Sequence, residues 1–295
     1  MYPGMCSECS QPACGQTQRY PHYQHNHLQS VQWKVFLRFT LPYARNHPGG
    51  DMNGSNKEFY NQTAEQYDAM ISYEKAVQAK KQVLAGFVKP GMQEAADFGC
   101  GTGVDSFALA ELGLRVDSFD QSESMIAMAR QRMMSNHQIT FTVTGLDAVQ
   151  TNAFPKKDLI VSLGNTCANI PPQQLRTVFQ HCAAMMKPDG TLLLQNVNVT
   201  RMRQADERIV KISYDGTKQF IRFYDYCHDM IRFNILTIEG TQHQIISTVV
   251  YEYTQEALTE MLTEAGFRNI QAYGSLKKDS FVPGESKDIV IEATK

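Results

Sequence analysis

Two acidic residues and three glycines between positions 97 and 120 have the types and the spacing of a ligand site. Asp97 ends a short apolar run, Gly99, Gly101 and Gly103 follow at alternate positions, and Asp120 ends a second apolar run. The segment between the runs has the apolar spacing of a helix. The pattern predicts a β-turn-α-β unit that holds a nucleoside-like ligand at the ends of its strands.

The position of the third glycine indicates which ligand this is. The dinucleotide fingerprint is G-x-G-x-x-G, and counted from Gly99 its third glycine would fall on Val104. A pyrophosphate favours the open N–H groups of a helix N-terminus, whereas a ligand with a sulfonium and an ammonium group favours carboxylates such as Asp97. Asp120 lies where an acid accepts hydrogen bonds from both hydroxyls of a ribose. An NAD site and an ordinary α/β turn are the alternatives.

This segment resembles motif I of the class I S-adenosylmethionine (SAM) dependent methyltransferases. The stretch Gly101-Thr-Gly-Val-Asp-Ser106 is particularly similar to the glycine/sarcosine N-methyltransferase group. The resemblance covers about residues 55–295 and implies SAM as the cofactor. It also implies an α/β fold, a Rossmann-like seven-stranded mixed sheet with helices on both faces and an antiparallel β flap inserted after strand five.

The same resemblance implies which residues bind the cofactor. Tyr67 lies on an N-terminal helix that in this family often covers the methionine end of SAM, and simple packing is its alternative. Asp147 follows the third strand, where the family places an acid near the adenine amino group. The full predicted set is Tyr67, Asp97, Gly99, Cys100, Gly101, Thr102, Gly103, Asp120, Gln121, Leu146, Asp147 and Leu163.

The acceptor side of the site is expected at the end of strand four. Leu163-Gly-Asn165 is similar to a turn of glycine N-methyltransferases whose Asn helps to position the acceptor, so Asn165 is the predicted catalytic and substrate-binding residue. Amino-directed DNA methyltransferases instead carry Asn/Asp-Pro-Pro-Tyr/Phe at this strand end. Pro171 and Pro172 do not form that motif.

Three flap residues, Arg201, Arg222 and Tyr224, are the further predicted substrate-binding residues. A guanidinium group matches the geometry of a carboxylate, although a solvated sheet face is the alternative for most of the flap arginines. Glycine N-methyltransferases have an Arg soon after strand five. Asn196-Val-Asn198 occupies that neighbourhood here, which departs from the pattern for glycine as the acceptor.

The resemblance implies methyl transfer by in-line displacement, to which the protein contributes mainly proximity, orientation and desolvation. An amine acceptor needs only a free lone pair, whereas a hydroxyl acceptor usually needs a base or a metal. His228 is the best candidate base. The predicted acceptor is therefore a small amine or an amino-acid-like nitrogen. A small-molecule O-methyltransferase and a SAM-binding protein without catalysis are the alternatives.

Four segments are predicted along the chain. They are a flexible N-terminal extension at 1–54, a SAM-binding core at 55–199, the flap at 200–253 and the end of the core sheet at 254–295. Cys6, Cys9 and Cys14 precede several histidines, so a zinc site in the extension is an alternative to the prediction of no metal.

Composition limits the partners. The chain has 295 residues, a net charge of −2 and a pI near 6.4, so it offers no basic field for a phosphate backbone and nucleic acid is excluded as the predicted substrate. No apolar run is long enough for a bilayer, and no secretory signal is visible. Scattered cysteines suit a cytoplasmic enzyme. A homo-oligomer is left open.

Overall fold

A computed structural model describes residues 56–69, 72–135, 137–227 and 230–295, with only the backbone described for 65–69. The predicted N-terminal extension, with its zinc alternative, lies outside these ranges, and so does the candidate base His228.

Seven helices and eleven strands alternate along the described ranges. The helices are α1 Asn56–Ala69, α2 Tyr73–Leu84, α3 Val104–Glu111, α4 Glu123–Gln131, α5 Pro172–Met185, α6 Val199–Gln204 and α7 Gln255–Glu264. The strands are β1 Glu94–Phe98, β2 Arg115–Asp120, β3 Ile139–Val143, β4 Lys157–Ser162, β5 Met186–Val197, β6 Ile209–Tyr214, β7 Gln219–Tyr226, β8 Ile231–Glu239, β9 Gln242–Val250, β10 Arg268–Tyr273 and β11 Asp288–Thr294. Short 3-10 turns follow β3 and β4, at Leu146–Ala148, Thr151–Ala153 and Cys167–Asn169.

The central sheet has seven strands in the order β10-β11-β5-β4-β1-β2-β3. The strands from β5 to β3 are parallel, and β11 and β10 join antiparallel at the other edge. The interior strand β1 is buried at all five positions, as expected for a parallel strand with helices on both faces. Since parallel strands share one carboxyl edge, the loops after β1 to β4 meet there. The predicted Rossmann-like mixed sheet is confirmed.

A second sheet follows β5 and the short helix α6. Its four strands pair antiparallel in sequence order, β6-β7-β8-β9. The antiparallel flap predicted after strand five is present.

Residues 187–190, whose Lys-Pro-Asp-Gly sequence is typical of a turn, are part of a strand instead. β5 begins at Met186, and the register of β4 on β5 jumps from Lys157 opposite Met186 to Leu159 opposite Thr191. Asp189 takes a φ of 61°, which lets the extra residues form a bulge without ending the strand.

None of the helices in the described part of the chain is long and apolar enough to span a membrane.

Candidate cofactor and acceptor site

The turn after β1 is built from glycines in the left-handed region. Gly99, Gly101 and Gly103 have φ values of 86°, 52° and 90°, which only glycine adopts readily. A Cβ on Gly99 would lie 2.4 Å from the side chain of Thr166, whereas a Cβ on Gly101 would meet nothing within 4 Å. The turn therefore packs closely against the loop after β4 and leaves open space beside Gly101.

Asp120 at the end of β2 is fixed by main-chain N–H groups. Its Oδ2 accepts a hydrogen bond from Gly101 N at 2.9 Å, and its Oδ1 accepts one from Ser122 N at 2.9 Å. Burial raises the pKa of Asp120, and these N–H donors oppose that shift. Each carboxylate oxygen keeps a further lone-pair site for a ligand hydroxyl.

A cavity of about 360 Å³ opens over this carboxyl edge. It is bounded by the turn after β1, by the ends of β2, β3 and β4, and by α1 and the start of α5. Its described lining carries the three carboxylates Asp105, Asp120 and Asp147, and no Lys, Arg or His. The cavity is therefore suited to a positively charged ligand.

Helix α1 forms one wall of the cavity by binding the loop after β4. Asn56 Nδ2 donates to the main-chain oxygen of Asn169 at 2.6 Å, and the hydroxyl of Tyr60 donates to Asn169 Oδ1 at 3.2 Å. Thr248 of β9 donates to Asn56 Oδ1. Asn56 of α1 thus joins the cavity wall to the flap sheet.

Two further contacts hold α1 in this position. Phe59 is buried with Phe220 and Ile235 of the flap. On the other side, Asn61 Oδ1 accepts from the hydroxyl of Ser122 at 2.7 Å, directly beyond Asp120. The helix therefore spans from the flap to the loop that carries the Asp120 carboxylate.

Most of the predicted cofactor residues meet at this cavity. The predicted residues that line it are Gly99, Cys100, Gly101, Thr102, Asp120, Gln121, Leu146, Asp147 and Leu163. Tyr67 lies in α1, and its side chain is outside what the structure describes.

Asp97 and Gly103 lie beneath the lining rather than in it. Asp97 is 1% exposed, and its Oδ2 accepts a 2.6 Å hydrogen bond from Ser106, which in turn accepts one from Ser118. Burial, helped by the nearby charge of Asp105, raises the pKa of Asp97 to about 8. The other oxygen, Oδ1, has no hydrogen-bond partner among the described residues. Asp97 therefore supports the turn from below, and its direct contact with a ligand stays a prediction.

Asn165 lies between two residues that line the cavity, Gly164 and Thr166. It takes a φ of 73°, a conformation that Asn tolerates better than most residues. Its Oδ1 accepts a 2.6 Å hydrogen bond from Val197 N and so ties the loop after β4 to the end of β5. The structure thus gives Asn165 a positioning contact, and a contact with an acceptor stays a prediction.

The three flap residues are not part of the cavity lining. The guanidinium of Arg201 donates two hydrogen bonds to Glu207, at 2.7 and 2.9 Å, so it already has a carboxylate partner within the protein. Arg222 is partly buried on β7. Tyr224 is 3% exposed, and its ring lies 5.5 Å from that of Phe233. Their role in binding a substrate stays a prediction.

Several residues of the cavity wall could not be predicted from the sequence. Asn56 and Asn169 are 113 positions apart, and nothing local to either one predicts their contact. Tyr60 and Tyr67 both lie on the same predicted helix. The helical spacing could not show which of the two tyrosines lines the cavity.

The region from Ala95 to Gly190 matches the family described as "Methyltransferase domain". A ubiquinone biosynthesis O-methyltransferase from Haemophilus ducreyi is 29% identical over 136 residues, 43% of this chain and 57% of that protein. Human glycine N-methyltransferase is 28% identical over 134 residues, 40% of this chain and 45% of that protein. The matched part thus spans about half the length of these relatives.

Among solved structures, the CcbJ methyltransferase from Streptomyces caelestis has a similar fold. The TM-score is 0.68 at 16% identity, over 80% of this chain and 96% of that one. Together, the matched domain at residues 95–190, the sheet order and this likeness show the fold of the class I SAM-dependent methyltransferases. SAM is the cofactor of this class, as the turn after β1 predicted.

The residues present fit that cofactor. The open space beside Gly101, which any Cβ would fill, lets a ligand approach the backbone. Asp120 offers fixed carboxylate oxygens suited to ribose hydroxyls. The negative lining suits a ligand that carries both a sulfonium and an ammonium group. Asp120 would hold the ribose, and Leu146 and Asp147 would border the base.

Proposed function

We propose that this protein transfers the methyl group of SAM to a small-molecule acceptor, an amine or an amino-acid-like nitrogen. When bound, the cofactor supplies an electrophilic methyl carbon activated by its sulfonium. The chain's own residues bind and orient the two molecules and exclude water from between them.

One observation carries the proposal of catalysis over that of a SAM sensor. The cavity extends from Asp120 to the loop after β4, where Gly164 is both exposed and part of the lining. This loop borders the place where an acceptor would approach the methyl group. A sensor could have filled this space with side chains, whereas here it remains open.

The character of the lining supports nitrogen as the acceptor atom. A hydroxyl acceptor usually needs a base to take its proton. Asp120 is already bound to two main-chain N–H groups, and Asp105 Oδ1 lies 2.9 Å from Lys80 Nζ. Asp147, the third carboxylate of the described lining, follows β3, which lies three strands from β4 in the sheet. An amine, which arrives with its own lone pair, makes the least demand on such a site.

O-methylation is the second candidate, because the relative from Haemophilus ducreyi is an O-methyltransferase. A cytoplasmic location and a homo-oligomeric state belong to the proposal as well. The four cysteines of the described ranges, Cys100, Cys167, Cys182 and Cys227, are free thiols, which is compatible with a reducing compartment.

The test is transfer of an isotopically labelled methyl group from SAM to pools of small amines, amino acids, phenols and carboxylates, with products identified by mass. A labelled amine would support N-methylation, and a labelled phenol or ester would replace it with O-methylation. If SAM binds by calorimetry but no pool yields a product, the proposal of catalysis is contradicted and the sensor takes its place.

A further inference from the structure

One carboxylate near the acceptor side has no role in the fold described so far. Asp288 opens β11 and pairs with Val197 at the end of β5. Val197 is the residue whose N–H binds Asn165 Oδ1, so Asp288 lies on the same edge of the sheet as the loop after β4. Two strand spacings, about 10 Å, separate β11 from β4, a distance that one small acceptor molecule can bridge.

The charge of Asp288 is not balanced by a close cation. The side chain is partly buried, and its Oδ2 accepts a 3.1 Å hydrogen bond from the uncharged amide of Gln195. Within the described ranges it forms no ion pair. Burial raises the pKa of Asp288, which Gln195 and the more distant Lys80 and Lys287 oppose. A desolvated carboxylate without a cationic partner is costly and is frequent at ligand sites.

Hydrogen bonds from Asn198 to the loop before Asp288 fix the position of this residue. The main-chain N–H of Asn198 donates to Lys287 O at 2.8 Å, and Asn198 Nδ2 donates to the main-chain oxygens of Pro283 and Ser286. Asn198 itself is 2% exposed. The carboxylate therefore stands on a preorganised segment, as a ligand-binding group requires.

The flap reaches the same junction, because Tyr224 packs in a cluster that includes Val197, the residue opposite Asp288. Burial is the main cause of the raised pKa of Tyr224, and the negative charge of Asp288 adds to it, whereas the positive charge of Arg222 opposes it. Both charges are thus within electrostatic reach of the Tyr224 hydroxyl. A carboxylate on the core and a guanidinium on the flap suit an acceptor that carries both a positive and a negative group.

We propose that Asp288, held by Gln195, binds the ammonium group of the methyl acceptor and accepts one of its protons, so that the nitrogen has a free lone pair for the transfer. This inference rests on the proposed function. It narrows the acceptor to cationic or zwitterionic amines and assigns their recognition to the junction of β5 and β11. Arg222 and Tyr224 complete the site by facing the acidic end of a zwitterion.

The experiment measures the transfer of a labelled methyl group by the wild type and by Asp288→Asn. The acceptors are a deproteinised cell extract and matched pairs of an amine and the corresponding alcohol. The pairs are β-alanine with 3-hydroxypropanoate and putrescine with 1,4-butanediol. Asp288→Asn should lower kcat/KM for amine acceptors about 30-fold or more, because the cation loses its charged partner in a partly buried site. The dissociation constant of SAM should stay unchanged by calorimetry, which also shows that the variant is folded.

Three variants separate charge from shape. Asp288→Glu should recover part of the lost kcat/KM, because it keeps the negative charge. Gln195→Met should raise the KM for the acceptor with little change in kcat, since it removes only the hydrogen bond that orients the carboxylate. Glu292→Gln is the matched control on the same face of β11, because Glu292 is already paired with Lys278, and it should behave as wild type.

The outcomes distinguish this assignment from the proposed function. Labelled products without a cationic nitrogen, or equal activity of Asp288→Asn and Glu292→Gln, would overturn the role of Asp288 and leave methyl transfer intact. The absence of any labelled product from wild type that still binds SAM would overturn the proposed function, and the assignment would fall with it.

Discussion

The two halves of the proposed site are built in different ways. The proposed cofactor half, residues 99–102 with Asp120 and Asp147, is positioned by strand ends and by hydrogen bonds to nearby main chain. The proposed acceptor half, Asn165 with the flap residues Arg222 and Tyr224 and with Asp288, depends on contacts between distant segments. The first half is therefore specified by a short stretch of sequence, and the second only by the assembled fold.

This difference between the two halves indicates where amino-acid substitutions are tolerated. A change in the turn after β1 alters a backbone path that has no substitute, because left-handed glycines are needed at three alternate positions there. A change in the flap alters side chains on a regular antiparallel sheet, which accepts many residues at the same positions. Acceptors can thus change on this scaffold while the cofactor stays the same.

The largest effect is expected from Asp120→Ala, which tests the cofactor half directly. The substitution removes the acceptor of two main-chain hydrogen bonds and the carboxylate proposed to bind the ribose. Loss of two charge-assisted hydrogen bonds, at about 1.5–3 kcal/mol each, weakens SAM binding about 100-fold or more. Calorimetric titration with SAM measures it.

An exposed acid, Glu256, supplies the control for that experiment. Glu256→Gln should bind SAM as wild type does. If both Asp120→Ala and Glu256→Gln bound SAM with wild-type affinity, the placement of the ribose at Asp120 would be wrong.

A smaller effect, on turnover rather than on SAM binding, is expected at Asn165. Asn165→Asp keeps the oxygen that accepts from Val197 N and the tolerance for a positive φ, but it loses the amide N–H₂. If that N–H₂ donates to the acceptor, kcat/KM falls about tenfold or more, as for a lost hydrogen bond of 1–3 kcal/mol. Steady-state kinetics with a labelled methyl group give the ratio.

The alternative outcome at Asn165 is equally informative. If Asn165→Asp has wild-type kinetics and only Asn165→Ala is impaired, the residue acts by tying β4 to β5. Asn165 would then be a positioning residue, and the acceptor half would be defined by the flap and Asp288 alone.

The two halves also differ in how well the sequence predicts them. The glycine turn and both acids were predictable, because strand ends and turn conformations are encoded within about 25 residues, and nine predicted residues indeed line the cavity. The partner of Arg201 was not predictable from the sequence, since Asp206 and Glu207 are adjacent acids at almost the same separation from it. The contacts of Asn56 with Asn169 and Thr248 join positions separated by 113 and 192 residues, and only the assembled sheets bring them together.

The buried acid beneath the turn gives a prediction on pH. The pKa of Asp97 in the native state is about 8, whereas its ordinary value is 3.8. Between pH 3.8 and pH 8 the native state therefore keeps a proton on Asp97 that the unfolded chain has lost. The stability of the protein without cofactor should therefore fall as pH rises through this window, by at most about 1.4 kcal/mol per pH unit from this group. Asp97→Asn should flatten the slope, measured as the free energy of unfolding in urea between pH 5 and 8.

The sign of that slope is the decisive part. A wild-type stability that rose with pH and was unaffected by Asp97→Asn would mean that Asp97 is ionised in the native state. Asp120, whose pKa burial also raises, contributes in the same direction, so the difference between wild type and Asp97→Asn isolates the single group.

The smallest effect is expected at Arg201, and it separates the flap arginines from one another. Because Glu207 already binds its guanidinium at 2.7 and 2.9 Å, Arg201→Gln should change kcat/KM by less than about twofold and stability by less than about 1 kcal/mol. Arg222→Met should raise the KM of a zwitterionic acceptor about tenfold, since it removes the proposed partner of the acceptor carboxylate. Parallel kinetics on β-alanine and putrescine check both, because putrescine has no carboxylate for Arg222 to bind. Equal losses for Arg201→Gln and Arg222→Met would place the acceptor near α6 and require Arg201 to exchange Glu207 for the substrate.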